Sequence, residues 1–196
     1  MKRLATSVVL NKFDPSLYSL HRSAISHKKG CAQSQEDALN KGGSEVVDVP
    51  CDGASRDDTI TESTTIDNLL QSYSSMRQNV VVKMDIQGYE PYGLLGAESL
   101  FTTHNVTMLY MEWAEMKKSL NGEHKVLSTP EYQQLAERTV GKLVLERGYS
   151  VYSMDTGNIL KWENRKQWAN NVFLIHADVK HRFSTTKSFP QPLNSI

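Results

Sequence analysis

Val82-Lys83-Met84-Asp85-Ile86-Gln87-Gly88-Tyr89-Glu90 is the stretch that decides how this chain is read. It closes an apolar, largely β-branched run, residues 79–85, that ends in a carboxylate. Such a run reads as a strand covered on both faces. Gly88 permits a sharp turn or a close approach of backbone to a ligand. Glu90 stands where a carboxylate caps the next helix and favours its positive end, a structural role that outweighs a catalytic one. Pro91 suits the first turn of that helix, where its missing N–H is no loss.

The pattern extends outward from there. Leu94, Ala97 and Phe101 give the helix an inner face, and residues 106–113 form a second apolar strand that carries Glu112 at its end. Upstream, Thr64-x-x-Asp67 has the form of a capping box. Ile66, Leu69, Leu70 and Tyr73 follow at i, i+3, i+4 and i+7, one buried face of a short helix. Downstream, Pro130 opens a longer helix with Tyr132, Leu135, Ala136, Val140, Leu143 and Val144 on one stripe. Gly148 ends it in a left-handed backbone position. Residues 149–154 and 171–177 read as two further strands, and the loop between them holds Trp162 and Trp168. Nearer the N-terminus the spacing predicts a helix over 3–12 with Leu4, Val8 and Val9 inward, then a strand over 17–25. Residues 27–48 read mostly as loop with a short strand at 45–49, and 50–63 as loop. Residues 178–196 read as a loose tail. The element order describes an α/β sheet with an antiparallel partner near its end.

The chain has 196 residues and 39% hydrophobic residues, enough for one domain with a proper core. Lys plus Arg and Asp plus Glu are each 22, so the net charge is zero. With no long basic run, this argues against a nucleic-acid or membrane-surface binder. No apolar run is long enough to span a bilayer, and the apolar residues 5–10 are too short and too interrupted for a signal peptide. Cys31 and Cys51 lack CxxC spacing and read as two ordinary thiols rather than a metal site or a disulfide framework. His104, His124 and His176 have no metal-ligand spacing, so no metal site is predicted. Asn105-Val106-Thr107 matches a glycosylation triplet, which arises often by chance.

Ligands of open α/β sheets bind at the carboxyl ends of the strands. If strands 79–85 and 106–113 lie side by side, Asp85 and Glu112 face the same crevice. The alternatives are bland: Asp85 caps the next helix, and Glu112 pairs with a lysine such as Lys117. Trp113, Trp162 and Trp168 read as core or loop anchors rather than substrate platforms.

The central segment resembles the FkbM methyltransferase family, whose hallmark is K-[IM]-D-x-[EQ]-G-x-E followed by a helix with L-x-G-A. Here these are Lys83 to Glu90 and then Leu95-Gly96-Ala97. Other pieces agree in order: Thr65-Ile66-Asp67-Asn68-Leu69-Leu70, the strand ending at Glu112, Leu145-Glu146-Arg147-Gly148-Tyr149, and Ser23-Ala24-Ile25-Ser26 with Gly30. The likeness runs from about residue 4 to about residue 177. It implies an α/β fold built as an incomplete Rossmann-like class I methyltransferase sheet, mostly parallel with one antiparallel strand near the C-terminal end. Residues 1–177 would be a partial domain of this kind and 178–196 its tail. It implies S-adenosylmethionine as cofactor, with Ser23, Ala24, Asp85 and Ile86 on its binding side and Asp85 and Glu112 as the catalytic acids. The acceptor would be a hydroxyl on a small molecule or glycan.

The family's opening motifs, a glycine-rich D-x-G-A-N-x-G turn and a strand ending in E-P, have no match here. The resemblance places cofactor backbone donors and a ribose-binding acid in those segments. Their lack implies that strand 79–85 has an open edge and that strand 17–25 has lost a neighbour. Three function classes follow: an O-methyltransferase, whether whole or truncated; a catalytically inactive remnant serving as a binding or interaction module; and, last, a metal-dependent hydrolase using Asp85 and Glu112, for which no His ligands are supplied.

Overall fold

The computed structural model describes residues 2–35, 45–51, 59–73, 79–124 and 127–179. Among them, two sheets and seven α-helices form a mixed α/β structure. The larger sheet is built from β5 (Asn79–Met84), β6 (Asn105–Glu112), β7 (Tyr149–Ser153), β8 (Ile159–Leu160) and β9 (Asn171–His176), in the order β5-β6-β9-β7-β8. β5 and β6 are parallel neighbours, as the two apolar runs predict, with Met84 beside Met111. β7 and β9 both lie beyond β6, and β9 runs antiparallel to each of its neighbours.

The expectation of a mostly parallel sheet is corrected. Only the β5–β6 pair is parallel; the other three pairings are antiparallel. The reason is the insertion of β9 between β6 and β7. β7 points the same way as β5 and β6 but never touches them as a parallel neighbour.

A second sheet, in the order β1-β4-β2-β3, is formed by β1 (Ala24–Ile25), β2 (Gly30–Gln35), β3 (Glu45–Val49) and β4 (Ile60–Thr64). Of these, the strand at 45–49 matches expectation. β2 and β4 lie in stretches read as loop. Their polar residues hide the strand signal, and antiparallel pairing with β2 at the centre makes up for it. The strand expected over 17–25 shrinks to two residues. Asp14 and Pro15 instead set a 3-10 turn over Pro15–Leu17, with Asp14 accepting the Ser16 N–H at 2.9 Å. The first helix forms as α1 (Lys2–Leu10), but only Val8 of its expected inner face is buried; Leu4 and Val9 are exposed.

The two cysteines are also corrected. Cys31 and Cys51 form a disulfide with Cα atoms 5.2 Å apart. The β2–β3 register sets Cys31 opposite Val49, which carries Cys51 within reach two residues later.

Helices cover the larger sheet. α2 (Ile66–Leu70) is capped by Thr65, whose hydroxyl accepts the Asn68 N–H; the expected capping residue Thr64 ends β4 instead. The stretch after β5 splits at Gly96-Ala97 into α3 (Glu90–Leu95) and α4 (Glu98–Thr103). α5 (Ala114–Leu120) follows β6. The long helix predicted from Pro130 runs as α6 (Pro130–Ala136), a π-helical stretch (Glu137–Gly141) and α7 (Lys142–Leu145), with Gly148 left-handed after it. Trp113 and Trp168 are buried in the core with Leu109, Met111, Met116 and Leu174, which bears out their reading as anchors. The expected tail lies outside the described residues from 180 onward. No helix of the described residues is long and apolar enough to cross a membrane.

Candidate functional site

The parallel register of β5 and β6 brings their carboxyl ends together, and Asp85 and Glu112 meet there. Gln87 joins them. Its Nε2 donates to Asp85 Oδ1 at 3.0 Å and to Glu112 Oε2 at 2.7 Å. Lys83 Nζ donates to the other Asp85 oxygen at 3.0 Å. Neither bland alternative holds. α3 has no side-chain cap, so Asp85 is not serving as one. Lys117 turns to the Trp168 carbonyl and Asn170 rather than to Glu112.

The two carboxyls are shifted in opposite directions. The Lys83 hydrogen bond, helped by Gln87, keeps the Asp85 carboxyl below its usual range. Burial first, and then the Asp85 charge, pushes Glu112 up.

The turn that carries this pair is tightly built. Gln87 and Gly88 both have left-handed backbone, at φ 55° and 91°. A Cβ on Gly88 would lie 2.8 Å from the Leu127 side chain, so the position requires glycine for space as well as for conformation. The Tyr132 hydroxyl donates to the Gly88 carbonyl at 2.5 Å. Glu90, read from sequence as a cap, is fully buried. Its Oε1 accepts the Ile86 N–H at 3.0 Å and its Oε2 has no hydrogen-bond partner.

The residues expected on the cofactor side are partly gathered. Ala24 is in β1, paired with Ser63 of β4, and Ser23 precedes it, half-buried. A Cβ on Gly93 would lie 3.1 Å from Ile86 and 3.4 Å from Ile25, so the end of β1 meets Ile86 over α3. Ile86 thereby connects the smaller sheet to the turn that holds Asp85. Further along, a Cβ on Gly96 would sit 2.6 Å from the Ser26 carbonyl. The Asp67 carboxylate accepts the Ser99 and Leu100 N–H groups at 2.9 and 3.0 Å. The separate sequence pieces at 23–26, 65–70 and 95–97 therefore lock into one another.

Sequence reasoning missed Gln87 as the bridge and Tyr132 as a support of the turn. The signal for Gln87 was its offset of two from Asp85 across a glycine turn; for Tyr132, 44 residues from its partner, no local signal exists. Among the described residues no group of His, Cys, Asp and Glu could hold a metal ion.

A family model described as the methyltransferase FkbM domain matches residues 5–151. No curated protein and no solved structure matches the chain.

Proposed function

The chain belongs to the methyltransferase FkbM domain family, and from that premise we propose that it serves S-adenosylmethionine-dependent methyl transfer to a hydroxyl of a small molecule or glycan. The carrying observation is the pair Asp85 and Glu112, bridged by Gln87 at the carboxyl ends of two parallel strands. Support comes from its place at the carboxyl ends of parallel strands, where open α/β sheets bind ligands, and we read residues 1–177 as a partial domain of the Rossmann-like class I kind.

The cofactor, when bound, supplies an electrophilic methyl group. The described residues fit one side of it. Asp85, held ionised, suits a cationic or hydrogen-bond-donating group, and Ile86 with Ile25 offers an apolar wall. Glu112 is the better proton acceptor of the two acids, because a raised carboxyl lies closer to the working pH of a general base. In this reading Asp85 orients and Glu112 takes the proton of the acceptor hydroxyl, while positioning does most of the work. Labelled-methyl transfer from the donor to a panel of hydroxyl acceptors tests it. Glu112→Gln should abolish most turnover, and transfer that is unaffected by Glu112→Gln and Asp85→Asn alike would sink the assignment.

One observation favours a second reading, an inactive remnant that acts as an interaction module. β5 is the end strand of its sheet among the described residues, paired only with β6. Donor binding without turnover, or no donor binding in any extended form, would favour it.

A further inference from the structure

Glu90 is fully buried, and the chemistry above makes no use of it. It opens α3, and its Oε1 holds the Ile86 N–H from inside the turn at 3.0 Å. Its Oε2 is buried without a hydrogen bond. A buried carboxyl with an unsatisfied oxygen is costly, so packing alone does not account for an acid here. From the other side the Tyr132 hydroxyl holds the Gly88 carbonyl at 2.5 Å. Between these two fixed points stands Gln87, a non-glycine residue with φ 55°. Such a conformation persists where the surroundings impose it. It is this residue whose side chain reaches both Asp85 and Glu112.

We propose that Glu90 is a positioning residue: by fixing Ile86 from within the turn, it aims the Gln87 amide between Asp85 and Glu112. It does not touch the crevice itself. Glu112 on β6 and Tyr132 on α6 are the titratable groups that face it, and Glu115 of α5 lies against Gly88. What the positioning contributes to turnover rests on the function proposed above.

Carboxyl ¹³C NMR titration of Asp85 and Glu112 tests this with no donor or acceptor present. In Glu90→Ala the Gln87 bridge is lost, and both midpoints rise by roughly 0.5–1 unit, the worth of one hydrogen bond to each carboxylate. Glu90→Gln keeps an acceptor oxygen for the Ile86 N–H and restores both midpoints. Should Glu90→Ala fail to fold, Glu90→Asp, one methylene short of Ile86, is expected to raise both midpoints in the same way. A purely structural Glu90 predicts lower melting temperatures with both midpoints unmoved, and that result overturns the proposal. So does a Glu90→Gln variant whose midpoints shift as far as those of Glu90→Ala. Midpoints that move in a protein never found to transfer methyl groups would leave the positioning role intact and remove the proposed function instead.

Discussion

Asp85 and Glu112 share one amide donor, yet their surroundings shift the two carboxyls in opposite directions. Asp85 accepts from Lys83 and Gln87 on separate oxygens, so replacing it with Asn removes a charge at constant size and leaves one acceptor oxygen for the two donors. Its ion pair is solvent-exposed and contributes little to stability. In a competent form, Asp85→Asn should lower turnover or affinity by about one to two decades, the worth of a charge-assisted hydrogen bond of about 1.5–3 kcal/mol. The melting temperature should stay within a degree or two. Near-normal turnover would return the residue to a structural role. Glu90 makes a prediction about stability and pH. Burial lifts its carboxyl from 4.5 to about 7 in the folded chain. Between those values the folded state holds a proton that the unfolded state has released. Stability from this group is therefore present in acid and is lost as pH rises through about 7, by an amount on the order of 3 kcal/mol. Denaturant unfolding of the wild type and of Glu90→Gln across pH 4.5–8 checks the sign. The stability difference between the two should move in favour of the variant as pH rises, and a flat difference would contradict the burial argument.

At the scale of elements, Asp67 shows how a motif can be legible in type and misread in partner. Its spacing from Thr64 suggests a capping box at its own helix. In the structure Thr65 caps α2, and Asp67 caps α4 some thirty residues later through Ser99 and Leu100. A local pattern reports a helix start; it has no means to report which helix a carboxylate reaches after folding. Asp67→Ala should cost about 1–2 kcal/mol, seen as a fall of a few degrees in melting temperature, with Asp67→Asn milder. The same limit explains the rest of the reading. β6, β7 and β9 were legible because their apolar residues are buried in one sheet. β5 was legible from its apolar run, although the cover expected on both its faces is missing, since Val81 is exposed and only Met84 is buried. The candidate site was legible because strand ends and carboxylates coincide at Asp85 and Glu112. β2, with the polar sequence Gly-Cys-Ala-Gln-Ser-Gln, carries no periodic signal and is a strand only because β3 and β4 flank it. The disulfide between Cys31 and Cys51 follows from that pairing and was invisible without it. Digestion without reductant should yield one linked peptide containing both cysteines. Reduction should lower the melting temperature by several degrees, since closing a loop of this size is worth on the order of 3 kcal/mol. Two free thiols in protein folded under oxidising conditions would speak against the β2–β3 register.

At the scale of the whole molecule, the cofactor question is decided by what can be assembled around β5. Its outer edge has no strand partner among the described residues, and Val81 is 67% exposed on it. Leu4, Val9, Leu10, Phe13 and Leu17 near the N-terminus are exposed as well. An open, apolar edge strand invites pairing with another chain, so the 196-residue chain should self-associate in sedimentation experiments, and Val81→Lys should reduce this without altering the fold. In the proposed reading the described residues offer Ile25, Ile86 and Asp85 to a cofactor, and among the described residues there is no glycine-rich turn beside them offering a row of backbone N–H donors. A cofactor with a charged amino-acid end and a ribose needs such donors and an acid for its hydroxyls. Apolar contact and one carboxylate do not replace them, because each unpaired polar group that binding desolvates costs about 1–3 kcal/mol. We therefore predict that the 196-residue chain binds S-adenosylmethionine weakly or not at all. A version extended at its N-terminus by a strand, a glycine-rich turn and a helix should bind it and, by filling the β5 edge, should become monomeric in the same step. Calorimetry and sedimentation on the two proteins read both effects. Their coupling is the sharper part of the prediction: binding restored without loss of self-association would mean that the added segment lies somewhere other than beside β5. Tight binding by the 196 residues alone would show that the surface around Asp85 and Ile86 suffices without it.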